Sequence, residues 1–258
     1  MNMYHLVSQT LAYQVEGDLV EVGCNAGQSA VLIAKVMRDF ASDKKLHVYD
    51  SFEGLPPTKV EDGTVYKEGD LAVSEETVRK NFLLHDLKIP AIHKGWFEDT
   101  LPATLPAKVS FAHLDGDLYD SIMVSLKYVY PRLTRGAICL VDDYCDPQIN
   151  PDGWNYLPGV KKACDEFLSD KPERICYPYS GVFTHFLENF EAGFDADNAG
   201  RLVGRHRPHP DYAPRHRPPQ RAFFMVAIPG LLKTPNPSRS WRRRAGPLPP
   251  ERTDRCRI

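Results

Sequence analysis

The sequence has no apolar run long enough to span a membrane. Its longest candidate, "AFFMVAIPGLL" (222–232), is too short and carries a proline. The N-terminal stretch, "MNMYHLVSQTLAYQ", lacks a basic region followed by an apolar one, so no signal peptide is expected. Cysteine is sparse and unpatterned. The six residues (24, 139, 145, 164, 176 and 256) form no C-x-x-C pair and show no zinc-type spacing with histidine. Several fall in predicted strands or helices, where a reduced thiol behaves as a small hydrophobe. A reduced, cytoplasmic protein is the expectation. The dinucleotide fingerprint G-x-G-x-x-G is missing after the first predicted strand, which counts against a nicotinamide or flavin cofactor.

What is present divides in two. The 258 residues suit one good-sized globular domain plus extras. Residues 1–200 hold 18 Lys+Arg against 31 Asp+Glu, whereas residues 201–258 hold 14 against 3, and 13 of those 14 are arginine. Half of the 22 prolines also lie in this last part. An acidic body is therefore followed by a basic, proline-rich tail, with the division set at 1–190 and 191–258. The tail cannot bury much apolar surface, and the composition predicts disorder or loose docking. A nucleic-acid or membrane arm is the sharper reading of such charge. A passive extension is the favoured one, with neither nucleic acid nor membrane as a partner.

Along the body, strand and helix patterns alternate. Strands are predicted at 17–23, 45–50, 89–95, 108–115 and 136–143, with two closing strands in "RICYPYS" and "VFTHFLE". Helices are predicted at 28–40, 74–85, 119–133 and 158–170, the second with Ser74 as its cap. The central strands are continuous apolar runs, the mark of a parallel sheet covered on both faces. Ligands of such a sheet sit at the carboxyl ends of its strands. Glu21, Asp50, Asp115, Asp142 and Asp143 all fall there.

"EVGCNAGQS" (21–29) is a glycine turn between strand and helix. Gly23 permits the tight turn and Gly27 a close approach of backbone to ligand. Glu21 would repel a pyrophosphate and suits a cationic or amino-bearing ligand. Asp50 can accept hydrogen bonds from both hydroxyls of a ribose, or serve as a turn residue. Taken together, these four residues match an S-adenosylmethionine pocket better than another nucleoside site. In "FAHLDGDLYD", period-two alternation puts Phe111, His113 and Asp115 on one side, with Asp117 in the turn beyond. Asp142 and Asp143 end the neighbouring strand. Gathered carboxylates repel one another unless a cation is present, and oxygen donors select a hard divalent ion such as Mg2+. As separate helix or turn caps, the same residues would need no ion. His113 is read as supporting the ligands from behind. Trp96 and Phe97 are readable either as an adenine platform or as core aromatics, and Asp120 as a helix N-terminal charge.

The blocks "DLVEVGCNAGQSA", "VYDSFEGLPP", "HKGWFEDTLP", "HLDGDLYDS", "YPRLTRGAICLVDDY" and "PGVKKACDEF" occur in the order seen in the macrocin O-methyltransferase (TylF-like) family. The resemblance covers roughly residues 14–190. It implies a Rossmann-like α/β class I methyltransferase fold with a mostly parallel seven-stranded sheet and helices on both faces. It also implies S-adenosylmethionine and Mg2+ as cofactors, and methylation of a hydroxyl on a sugar or other natural product. Carried over residue by residue, Asp115, Asp142 and Asp143 would be metal ligands and Asp117 the general base. Asp50 would hold the cofactor ribose, with Glu21, Gly23, Gly27 and Ser29 near its methionine part. Ser51, Gly95 and Trp96 would line the adenine side, and Asp115 would border the cofactor as well. The partner is then a small hydroxylated acceptor, and a homo-oligomer is left open. The alternatives are an NAD-dependent oxidoreductase, or a non-catalytic nucleoside-binding protein with a nucleic-acid-binding tail.

Overall fold

The computed structural model describes residues 2–149, 155–176 and 223–226. The element order is α1 (Asn2–Ala12), β1 (Asp18–Val22), α2 (Gln28–Asp39), β2 (Leu46–Asp50), α3 (Glu75–Leu84), β3 (Ala91–Lys94), α4 (Phe97–Thr104), β4 (Val109–Leu114), α5 (Tyr119–Val129), β5 (Leu133–Val141), α6 (Pro158–Leu168), β6 (Ile175–Cys176) and β7 (Phe223–Val226). Short 3-10 turns lie at Val60–Asp62 and Tyr130–Arg132.

The strands run in the order β3-β2-β1-β4-β5-β7-β6. Their pairings are parallel throughout. Five full strands, β1 to β5, make up the body of this sheet. The two closing strands differ from expectation. The one expected in "RICYPYS" shrinks to the two residues of β6, and "VFTHFLE" lies outside the described residues. The piece that pairs with β5 is instead Phe223–Val226, inside the stretch expected to be disordered. These four residues belong to the apolar run "AFFMVAIPGLL", and they pair with Ile138–Val141.

Alternate residues of each central strand feed two cores. Leu19, Val48, Phe111, Ile138 and Leu140 pack with α1, α2 and α3 on one face. Val20, Val22, Ala112, Leu114, Cys139 and Val141 pack with α4, α5 and α6 on the other. Both faces are buried, which is why the strands read as unbroken apolar runs. Phe82, Phe111, Ile122 and Leu126 are almost free of solvent. Each contributes about 1.5–3 kcal/mol relative to exposure.

Residues 2–12 form a helix where none is predicted. So do residues 97–104, with Pro102 inside the helix. Its threonines take up carbonyls: Thr100 Oγ1 donates to the Trp96 carbonyl at 2.9 Å and Thr104 Oγ1 to that of Thr100 at 2.7 Å. The helix predicted from 74 does begin after Ser74, but Ser74 makes no capping hydrogen bond and meets the Thr77 hydroxyl at 3.0 Å.

Candidate active site

The carboxyl ends of β2, β1, β4 and β5 lie side by side because the ladder continues past the strands. Gly95 N donates to Asp50 O at 3.0 Å, Gly23 N to Tyr49 O at 2.9 Å, Asp115 N to Val22 O at 2.8 Å and Asp142 N to Leu114 O at 2.9 Å. The expected site residues of these four strand ends therefore form one row.

The glycine turn is packed into that row. Gly23 has φ +88°, and a Cβ there would stand 2.0 Å from the Asp115 carbonyl oxygen. The turn thus approaches the backbone of the β4 end as closely as a glycine allows. Gly27, φ +80°, precedes α2 and packs on Val78. Asn25, between them, has φ 44° and donates from its amide nitrogen to Leu71 O at 2.9 Å. That bond ties the turn to the loop before α3. Ser29 lies half-buried in the first turn of α2.

Asp50 fills the turn role, one of the two foreseen for it. Its Oδ2 accepts from Asn25 N and its Oδ1 from Phe52 N, each at 2.8 Å. Each oxygen keeps a lone pair for a further donor. Burial pushes this carboxyl above the usual range, against the pull of the two amides. The Ser51 hydroxyl is buried in its own turn, donating to Gly54 O at 2.9 Å and accepting from Glu53 N at 3.1 Å. Gly95 (φ +137°) leads into Trp96, which is 37% exposed, while Phe97 packs against the α4–α5–α6 core.

Glu21 has a protein partner that the sequence reading did not foresee. Its Oε1 sits 2.8 Å from His113 Nδ1, with the two side chains 0% and 2% exposed. Parallel pairing of β1 and β4 puts Glu21 directly opposite His113. Glu21 Oε2 and His113 Nε2 are buried without a hydrogen-bond partner. Burial acts to lower the His113 pKa, but the Glu21 hydrogen bond and charge, with Asp142 and Asp143, outweigh it and raise it.

The acidic residues group differently from the expected triad. Donor atoms of Asp115, Asp117 and Asp143 lie within 4.8 Å of one another, and so do those of His113, Asp115 and Asp142. Asp115 belongs to both groups, and Asp117 stands among the candidate ligands instead of apart from them. Asp117 and Asp143 have φ 59° and 58°, left-handed backbone that side-chain-bearing residues seldom adopt. Burial, then the charges of Asp142, Asp117, Asp143 and Glu21, push the Asp115 carboxyl well above the usual range. A cluster of carboxylates that resist ionising together is suited to a divalent cation, and the donor set of oxygens plus one ring nitrogen fits one. Asp120 lies outside the cluster and pairs with Lys59 at 2.6 Å on the surface.

Asp62 is the residue that sequence reasoning missed. It is buried in the loop after β2, where its Oδ1 accepts from Tyr119 N at 2.7 Å and its Oδ2 from Lys59 N at 2.8 Å. It takes the first amide of α5, part of the capping job considered for Asp117 or Asp120. Its partner lies 57 residues away, so no local pattern could have shown it.

This row of strand ends, with a glycine turn beside acid, sits on the class I methyltransferase fold, a Rossmann-like parallel sheet with helices on both faces. A solved O-methyltransferase, NovP, superposes with a TM-score of 0.57 at 32% identity, over 67% of this chain and 72% of its own. The chain belongs to the macrocin-O-methyltransferase (TylF) family, whose model matches residues 1–157. It is 37% identical over 153 residues to an 8-demethyl-8-(2,3-dimethoxy-alpha-L-rhamnosyl)-tetracenomycin-C 4'-O-methyltransferase of Streptomyces olivaceus, covering 55% of this chain and 59% of the relative. It is 36% identical over 177 residues to demethyldecarbamoylnovobiocin O-methyltransferase of Streptomyces niveus, covering 64% and 63%. The chain thus spans about six tenths of the length of these curated relatives.

Proposed function

We propose that the protein is a divalent-metal-dependent O-methyltransferase. It would move the methyl group of S-adenosylmethionine to a hydroxyl of a sugar or other vicinal-diol natural product. The observation that carries this reading is the meeting of Asp115, Asp117, Asp142 and Asp143 at two neighbouring strand ends, against the glycine turn. The Streptomyces olivaceus relative, named for a rhamnosyl-tetracenomycin acceptor, supports the choice of acceptor class. No helix among the described residues is long and apolar enough to cross a membrane, which accords with a cytoplasmic enzyme acting on small molecules.

In this reading Asp115, Asp142 and Asp143 hold Mg2+ or a similar ion, whose charge makes a nearby acceptor hydroxyl more acidic. Asp117 takes the proton from that hydroxyl, and its place beside Asp115 and Asp143 puts it within reach. The carbon–sulfur bond of the cofactor breaks as the new oxygen–carbon bond forms. Asp50 holds the cofactor ribose, and the turn from Gly23 to Ser29 lies along its methionine part. Glu21 Oε2, buried and without a partner, suits the cofactor's ammonium group. Gly95 and the exposed Trp96 border the adenine. These groups chiefly align two reactants, a contribution that can supply much of the rate.

Two measurements test the reading with a vicinal-diol glycoside as acceptor. Asp117→Asn is expected to lower turnover at least about 100-fold, the usual span for a general base, while S-adenosylmethionine still binds by calorimetry. Turnover at the wild-type rate would remove Asp117 from the base role. Chelation with EDTA is expected to stop methyl transfer, and undiminished transfer would sink the metal.

A further inference from the structure

We propose that His113 supplies a nitrogen ligand to the ion held by Asp115 and Asp142, with Glu21 fixing its ring from behind. This rests on the reading of the carboxylate cluster as a metal site.

The argument begins with the two nitrogens of one ring. Nδ1 faces Glu21 Oε1 at 2.8 Å, and that partner is as buried as the ring itself. Nε2 is also buried and has no hydrogen-bond partner. A ring nitrogen shut away from water and left unpaired is costly, and natural interiors seldom keep one without a use. The use is close by. A ring nitrogen of His113 lies with carboxylate oxygens of Asp115 and Asp142 in a group whose donor atoms are all within 4.8 Å of one another. Bonds of about 2.1 Å put the ligand atoms of one ion roughly 3–4.2 Å apart, so the group needs only slight contraction to hold one.

The arrangement on the far side of the ring supports the same conclusion. Histidines that bind metals characteristically donate their other N–H to a carboxylate, which fixes tautomer and ring orientation. Glu21 stands in that position. With Nδ1–H given to Glu21, the lone pair of a neutral ring is on Nε2. The register of β1 against β4 places the two residues opposite each other, so the ring's support comes from the sheet itself and not from a loop.

A site of carboxylates alone would show only oxygen to its ion, so directly bonded nitrogen is the signature that separates the two arrangements. Asp115 is common to both donor groups.

The test uses the full chain without acceptor. Mn2+ is titrated in, and pulsed electron paramagnetic resonance looks for directly bonded nitrogen, with 15N-histidine labelling as the control. A nitrogen coupling that changes with the label is expected. His113→Phe should abolish the coupling and weaken Mn2+ by about 10–100-fold. Glu21→Gln should keep the coupling and weaken Mn2+ about tenfold or more. If either variant fails to fold, the wild-type spectrum decides alone. Mn2+ bound with no nitrogen coupling overturns the proposal and leaves the carboxylate site standing. Failure of Mn2+ to bind overturns the proposal and the metal reading with it.

Discussion

A single position, Gly23, shows how backbone chemistry shapes the site. It must adopt a left-handed φ, and it must also have no Cβ, because the Asp115 carbonyl oxygen occupies the space. Backbone cannot move aside as the end of a side chain can. Gly23→Ala is therefore expected to cost more than about 3 kcal/mol in urea unfolding and to abolish cofactor binding. Gly69 provides the control. It shares the left-handed backbone but a Cβ there meets nothing within 4 Å, so Gly69→Ala should cost only about 1–2 kcal/mol. The strand-end aspartates were readable at this scale because each follows an apolar run directly. The roles of Glu21 and His113 were less so. Each looks from its own neighbours like an isolated polar residue in a strand, and only the pairing of β1 with β4 makes them partners.

At the scale of elements, the long loop after β2 is more than a connection. Through Asp62 it supplies the cap of α5, the helix that follows the Asp115–Asp117 turn. It is held there by packing as well: a Cβ on Gly159 of α6 would meet Asp62 Oδ1 at 2.5 Å. Asp62→Ala is expected to lower stability by about 1–2 kcal/mol in urea unfolding, the range for a lost helix cap. It should also weaken metal binding by loosening the turn ahead of α5. A loss of stability below about 0.3 kcal/mol would show that water replaces the cap. α2 and α5 were legible from apolar spacing, α3 from its serine and acidic start, and α6 from its proline start. α1 and α4 were not, and in α4 Pro102 argues against a helix interior, while Leu101 and Phe97 pack into the core.

At the scale of the whole molecule, charge and burial set the response to pH. On the sheet edge, His47 Nδ1 and His93 Nε2 meet at 3.1 Å, and the two rings stack, with His93 also stacked on Tyr49. Burial lowers both histidine pKa values from 6.5, with the charge of His47 adding to the effect on His93, while Asp18 partly restores His47. Between those lowered values and 6.5 the unfolded chain binds more protons than the folded one. This pair therefore makes stability fall as pH falls through that window. His113, whose pKa is raised, acts in the opposite sense, so the pair is isolated by comparison with His93→Asn. The loss in urea midpoint from pH 7.5 to pH 5.5 should be smaller in the variant than in the wild type, and equal losses would refute the assignment.

The sequence by itself determined the alternation of elements, the parallel sheet and the acid at its carboxyl ends. These follow from runs of neighbouring residues and from the periods of strand and helix. Tertiary structure alone decided which carboxylates meet, that Glu21 supports His113, that Asp62 caps α5, and that Phe223–Val226 pairs beside β5. Each of those depends on groups far apart in the chain being brought within a few ångströms, and no local pattern records strand register or the path of a loop.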